Sequence, residues 1–215
     1  MDRNTTRALN WALIALAFGV AAWLSPRIPE LVPTHWDARG HVNGYMRKPL
    51  GVYILPLIML GLHGLLTALP RVASKGSNGE LLGRAYSVIH TATLAFLLFT
   101  TVLALRAAAG EHVPIVQATC VGLGLLLIVI GNFLGKVRRN FFLGIRTPWT
   151  LANDEVWLRT HRLGGKTFVV GGLLMIVGVA RGASFGHCMA IATLAALVPA
   201  VYSYIAYRRL EHRHH

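Results

Sequence analysis

Residues 113–135 read VPIVQATCVGLGLLLIVIGNFLG, a run without a single charged side chain. A helix that crosses the ~30 Å hydrocarbon layer of a bilayer needs about 20 mostly apolar residues, so this run is long enough by itself. The pattern recurs on both sides of it. Apolar runs cover 8–24, 50–69, 85–105, about 163–180 and 185–207. The fifth in chain order is the shortest, with 14 residues between Lys166 and Arg181. It spans if those two basic ends snorkel toward the headgroups. The run at 8–24 has no small-x-small cleavage pattern before Ser25-Pro26 and further spans follow it, so it reads as a retained helix.

Composition agrees. Of 215 residues, 54% are hydrophobic and 13% charged, against ~25% charged in soluble domains. Disorder needs low hydrophobicity and is excluded. Cys120 and Cys188 both lie in apolar runs, which excludes a disulfide scaffold. Net charge is +13, but a nucleic-acid module carries its charge on a soluble face. Here the charge lies between apolar runs, so no direct nucleic-acid partner is expected. Basic loops favour the cytoplasmic side. With the N-terminus inside, segments 1–7, 70–84, 136–166 and 208–215 hold 15 of the 21 basic residues, and 25–49, 106–112 and 181–184 hold 6. The expected fold is an all-α integral membrane protein, a six-transmembrane-helix bundle with both termini cytoplasmic. It divides into 1–69, two helices with an extracytoplasmic loop at 25–49; 70–112, a third helix with connectors; 113–207, the remaining helices; and 208–215, a basic tail given no functional weight.

Segment 136–166 is the richest in polar information. Its second half reads as a short amphipathic helix. Asn153 caps it, Asp154 and Glu155 suit the positive end of the dipole, and Arg159 and Arg162 suit the negative end. Gly164 and Gly165 supply a stop. Glu155, Arg159, Arg162 and Lys166 form one stripe, and Trp157, Thr160, His161 and Gly164 the opposite one. One reading lays this helix on the inner leaflet, its basic residues on anionic headgroups at ~1 kcal/mol each. Another makes it a docking surface for a cytoplasmic partner. A third is structural: Arg146 and Trp149 anchor the loop under the bundle, with Thr147 and Pro148 shaping the entry to the helix.

Segment 25–49 contains Pro26, Pro29, Pro33, Pro49, Gly40 and Gly44. Proline fixes φ and glycine permits turns, so a folded-back cap is expected rather than a helix. His35-x-Asp37-x-x-x-His41 offers side chains that a divalent metal such as zinc accepts. The competing reading is turn hydrogen bonding, since no spacing here is a zinc signature. Inside the spans, His63, His90 and Asn132 fall ~9, ~8 and ~5 Å from the inner ends at 1.5 Å per residue, and so are expected in one layer. Interhelical hydrogen bonding, at ~0.6 kcal/mol per bond, is favoured over a proton relay because no Asp or Glu lies in any predicted span. The chain has no His-Glu-x-x-His, Gly-x-Ser-x-Gly or phosphate loop, so the enzymes built on those motifs are excluded. Two alternatives from other classes remain. One is a small-molecule transporter working as a dimer, opposed by the missing intramembrane acids and the absence of a clearly broken helix. The other is a metal-dependent membrane enzyme centred on His35, Asp37 and His41.

One motif is specific enough to suggest a family. Asn140-x-x-x-Gly-Ile-Arg-Thr-Pro-Trp-Thr-Leu is followed by Glu155-x-Trp157-x-x-Thr160-His161-x-x-Gly-Gly, with Gly131-Asn132 upstream and a lysine after. Over about 113–207 this resembles the SdpI family of bacterial membrane immunity proteins. Pro33-Thr-His35-Trp-Asp37-x-x-Gly40-x-x-x-Gly44-Tyr45 is similar to the small N-terminal domain that often accompanies it. The resemblance implies a non-enzymatic protein of the bacterial inner membrane, without a cofactor, that guards the cell against a secreted, membrane-active toxin. It also implies signalling through a cytoplasmic transcriptional repressor held at the membrane. The partner contacts then expected are Asn132, Asn140, Gly144, Arg146, Thr147, Pro148, Trp149, Trp157, Thr160 and His161. The toxin-facing set is His35, Trp36, Asp37, His41 and Tyr45.

Overall fold

The computed structural model describes residues 3–73, 83–141 and 143–211. Helix α1 (Arg3–Leu24) runs through a 3-10 turn (Ser25–Arg27) into strands β1 (Leu31–Trp36) and β2 (Val42–Arg47). Helices α2 (Leu50–Ala73), α3 (Gly83–Ala108) and α4 (Ile115–Leu134) follow, then a short α5 (Pro148–Ala152), α6 (Asp154–Ala180) and α7 (Phe185–Glu211). Six of the helices are long and apolar enough to cross a membrane: α1 to α4, α6 and α7. Leu16, Leu57, Leu125, Leu173, Leu194 and Val201 face outward from them. Such a belt is a liability in water and ordinary against lipid. The segment 208–215 lies only partly within the described residues, and the connector at 74–82 lies outside them.

The expectation of an all-α chain needs correcting at 25–49. The cap is an antiparallel hairpin in which Leu31 pairs with Arg47, Val32 with Met46 and Pro33 with Tyr45. Val32 is buried with Leu24, Ile28, Val52, Leu105 and Ala108, so the hairpin is part of the core at the ends of α1, α2 and α3. Gly51 is required there, because a Cβ would lie 2.7 Å from the Val32 Cβ. Farther along the same three helices, Ile14, Ala17, Met59 and Leu94 make a second buried cluster.

The second half packs backbone on backbone. Helices α4 and α6 are antiparallel, and each carries two glycines seven residues apart, or two turns. Gly131 faces Gly165 and Gly124 faces Gly172. A Cβ on Gly165 would lie 2.7 Å from the Gly131 carbonyl oxygen, and a Cβ on Gly131 equally 2.7 Å from that of Gly165. Small residues let membrane helices approach until dispersion between backbones replaces the hydrophobic drive that lipid does not supply.

This contact explains a second correction. Gly164 and Gly165 do not stop a short helix. Asp154–Ala180 is one continuous helix of 27 residues, ~40 Å at 1.5 Å per residue. There is thus no separate amphipathic helix, and the apparent shortness of the fifth span disappears. Glycine breaks a helix when its backbone freedom is unopposed. Here Gly165 is pressed on α4, and a Cβ on Gly164 would lie 2.7 Å from Ile145 Cδ1. The close contacts outweigh a propensity cost of ~1 kcal/mol per glycine.

Helix α7 meets the other side of α6. Pro199 inside α7 has no N–H, which leaves the carbonyl four residues earlier without its helical donor. That carbonyl, on Ala195, accepts the Thr167 hydroxyl of α6 at 2.8 Å. Thr167→Val is expected to orphan it and lower stability by about 1 kcal/mol, read as a shift in the thermal midpoint in detergent. An unchanged midpoint would show that the bond carries no net energy.

Candidate functional site

The polar motif folds into a clamp at the end of the bundle opposite the hairpin. Trp157 and His161 sit one turn apart on α6 with their rings stacked, centroids 3.9 Å apart. Both are buried. The Trp157 indole N–H donates to the Val137 carbonyl at 2.7 Å, which ties α6 to the chain leaving α4. His161 Nδ1 donates to the Trp157 carbonyl at 2.8 Å. Its Nε2 is then unprotonated and accepts the Ile145 N–H at 3.0 Å. Each ring nitrogen has one role, so the bonds fix the tautomer.

Between those two anchor points, Asn140 shapes the turn. Its side-chain oxygen accepts the Leu143 N–H at 2.7 Å and its amide donates to the Arg138 carbonyl at 2.8 Å. Gly144 follows with φ +117°, and a Cβ there would run into the His161 ring. Two independent constraints therefore select glycine: backbone conformation and space. Thr147 caps α5 in a reciprocal box with Thr150 and shares a hydrogen bond of 2.9 Å with Ser203 of α7. Trp149 lies against Tyr204, centroids 5.0 Å apart. Asn153 caps α6 through the Glu155 and Val156 N–H groups.

The motif residues thus separate into an inner and an outer set. Asn140, Trp157, Thr160 and His161 are buried, with Gly144 against the last. The Thr160 hydroxyl has no hydrogen-bond partner among the described residues. Arg146 and Pro148 are exposed and Trp149 is half-buried. The Arg146 guanidinium donates to the Phe141 carbonyl at 2.6 Å. Arg139 pairs with Asp154 and Arg159 with Glu155, each at 2.7 Å. Asn132 does not join them. It is exposed on α4 and donates to the Ile128 carbonyl of its own helix at 2.8 Å.

For the same reason Asn132 is absent from the expected intramembrane layer, which reduces to two residues. His63 Nδ1 and His90 Nε2 lie 3.1 Å apart and join α2 to α3. Trp11 sits edge-on to His63, and Thr91 donates to Asn10 at 2.7 Å, which adds α1 to the same layer. Ser203 and Tyr204, which hold the loop from α7, were not among the expected residues. A serine in the mostly apolar stretch of α7 between Thr193 and Arg208 was the available signal for the first.

At the hairpin end, Asp37 organises the turn between the strands. Its Oδ1 accepts the Arg39 N–H at 2.8 Å and the His41 N–H at 2.9 Å, and Gly40 takes φ +87°. His35 bonds to Asn43 across the strands. Trp36 is half-buried and Tyr45 exposed. Among the described residues no three His, Cys, Asp or Glu side chains are grouped to hold a metal ion. His35 is turned to Asn43, while His41 Nδ1 lies 3.5 Å from Asp37 Oδ2.

The His41 backbone N–H, ahead of that of Arg39, holds the Asp37 carboxyl below the usual aspartate range. The stabilisation is therefore fully present above the unfolded pKa of ~3.9 and is lost as pH falls through the lowered folded value. Amide exchange at Arg39 and His41 is expected to accelerate in that acid window. Asp37→Asn, which cannot titrate, is expected to flatten the dependence. A pH profile shared by both proteins would contradict the assignment.

Comparison with known proteins follows the same division of the chain. Residues 136–203 match the model of the SdpI/YfhL protein family, and residues 12–60 match a domain of unknown function, DUF1648. The first match takes in the clamp from Val137 to His161 and ends at Ser203, the residue that bonds back to Thr147. The Immunity protein SdpI of Bacillus subtilis (strain 168) is 29% identical over 165 residues, 77% of each chain. No solved structure matches the chain. The chain is thus a multi-pass membrane protein whose residues 136–203 carry a segment of the SdpI/YfhL protein family, and it is similar to an immunity protein across most of both lengths.

Proposed function

We propose that this protein is a non-enzymatic immunity protein of the bacterial cell membrane, protecting its cell against a secreted, membrane-active antimicrobial peptide. The observation that carries the reading is the likeness to an immunity protein over 77% of both chains. The basic bias puts both termini and the clamp inside and the hairpin outside. The hairpin, with His35, Trp36, Asp37, His41 and Tyr45, then meets the peptide. The clamp end meets a cytoplasmic transcriptional repressor through its exposed part, Arg146, Pro148 and the open edge of Trp149. Asn140, Trp157, Thr160 and His161 serve that contact by holding the loop in shape. No step in this reading needs a cofactor.

Kill curves test it. Expression in a sensitive bacterium is expected to shift the lethal concentration of at least one peptide in a panel of purified membrane-active bacteriocins. Superimposed curves across the panel would count against immunity. A pull-down from native membranes, with and without 136–152 replaced by a neutral linker, separately tests the repressor contact.

A further inference from the structure

We infer that the outer edge of β2 is a docking strip on which an extended peptide adds as a third strand. The inference rests on the immunity reading above and says how the secreted peptide is held. The Lys48 N–H donates to the Glu30 carbonyl at 3.0 Å, which makes 30 and 48 a hydrogen-bonded pair. Antiparallel ladders alternate bonded and non-bonded pairs. Along the observed register, Val32–Met46 is therefore bonded, while Leu31–Arg47 and Pro33–Tyr45 turn their backbone groups to the outside.

The two outer edges are unlike. On β1 that edge includes Pro33, which has no N–H to offer. The strand also lies against α3, with Val32 packed on Leu105 and Ala108. On β2 the edge offers complete N–H and C=O sets at Tyr45 and Arg47. Among the described residues the sheet has two strands and nothing pairs with this edge. Asn43, Tyr45 and Arg47 are all exposed, Tyr45 at 60%. Proteins usually blunt such edges with proline, a bulge or a covering element. On β2 the register irregularity falls at Asn43, short of Tyr45 and Arg47, whose outward backbone groups have no strand partner among the described residues.

The side chains define the occupant. Tyr45 and Leu31, the latter 55% exposed, share the outward face of the hairpin and offer apolar contact. Among the described residues Arg47 has no carboxylate partner, and Arg27, Arg39 and Lys48 are close in sequence, against Glu30 and an Asp37 already engaged by backbone N–H groups. The strip therefore fits an extended, mainly apolar peptide with a carboxylate opposite Arg47. Main-chain bonds supply affinity and alternate side chains supply selectivity, as in other strand additions.

Tyr45→Pro removes the outward N–H and spares the ladder bonds through Val32 and Met46. Tyr45→Val keeps the N–H and the preference for a strand. Full-length proteins are compared in kill curves against the bacteriocin panel, and in lipid nanodiscs by amide exchange with each peptide. For a peptide against which the wild type protects, Tyr45→Pro is expected to cut the protective shift about 10-fold or more and Tyr45→Val less than about 3-fold. The peptide is expected to slow exchange at Tyr45 and Arg47. Equal protection by wild type and Tyr45→Pro overturns the strip and leaves immunity standing. Slowed exchange without protection upholds the strip and overturns immunity. Neither effect with any peptide overturns both. Concentration-dependent slow exchange before peptide is added assigns the edge to a second copy of the chain and overturns the inference. If Tyr45→Pro does not melt as the wild type does, Arg47→Glu takes its place, with the same expected loss and the same contradiction if protection is unchanged.

Discussion

Gly165→Leu is expected to leave little folded protein in the membrane. The Cβ alone would sit 2.7 Å from the Gly131 carbonyl oxygen, and the neighbouring atoms within reach are also α4 backbone, at Gly131 and Gly135. A side chain can rotate away from a clash, but a backbone carbonyl inside a helix cannot move without its helix. Overpacking typically costs 1–3 kcal/mol, and a clash on backbone belongs at the top of that range, at about 3 kcal/mol or more. That is a large part of the total for a protein stable by about 5–15 kcal/mol. Gly131→Leu attacks the same contact from the other helix, so the two losses should not add. Gly64→Leu is the control, because nothing lies within 4 Å of the position its Cβ would take. Thermal unfolding in detergent, with the yield of membrane-inserted protein, reads all three. A Gly165→Leu variant that melts with the wild type would disprove the close approach of α4 and α6.

Trp157→Ala is expected to lower stability by about 3–5 kcal/mol, the usual range for a large buried aromatic. The lost ring leaves a cavity beside His161 and orphans the Val137 carbonyl. His161→Ala is expected to cost about 2–4 kcal/mol, because the Ile145 N–H loses its acceptor inside the protein. The two share one stacked unit, so the double variant should cost less than their sum. Both should lose stability and function together. Arg146→Ala should behave differently. The side chain is exposed and holds one carbonyl, so stability should change by no more than about 0.5 kcal/mol, while capture of a partner falls. Thermal midpoints measured beside the pull-down separate the cases. Trp157→Ala that loses partner binding at full stability would make the indole a direct contact.

The spans were legible because a charge-free run of twenty residues has few other uses. The stripe of Trp157, Thr160, His161 and Gly164 was legible as one face from helical spacing alone. What that face touches was not, since Val137, Ile145 and Gly144 reach it through chain returns that no local pattern encodes. Gly164-Gly165 was misread because a glycine that ends a helix and a glycine that admits a neighbouring backbone look the same in one dimension. The seven-residue spacing of Gly124 and Gly131, matched by Gly165 and Gly172, was the signal that distinguishes them. Asn132 was placed in a layer with His63 and His90 by depth along the axis, but depth does not fix rotation about it. The hairpin followed from proline and glycine only as a folded cap. Its turn chemistry, Asp37 with Gly40 between one run carrying Leu, Val, Thr and Trp and another carrying Val, Tyr and Met, was enough to have named strands.

The motif closes on itself, with Trp157 and His161 inside as a clamp, Arg146 and Pro148 exposed and Trp149 half-buried, and the proposed partner contact falls on that outer set. The most direct measurement is residue-resolved amide exchange of the wild-type protein in nanodiscs at Ile145, the amide that His161 Nε2 accepts. Slow exchange is expected at Ile145, comparable with the buried turns of α6, and fast exchange there in His161→Ala with α4 and α6 still protected. Fast exchange at Ile145 in the wild type would mean that the loop is open and that Trp157 and His161 are free to meet a partner themselves.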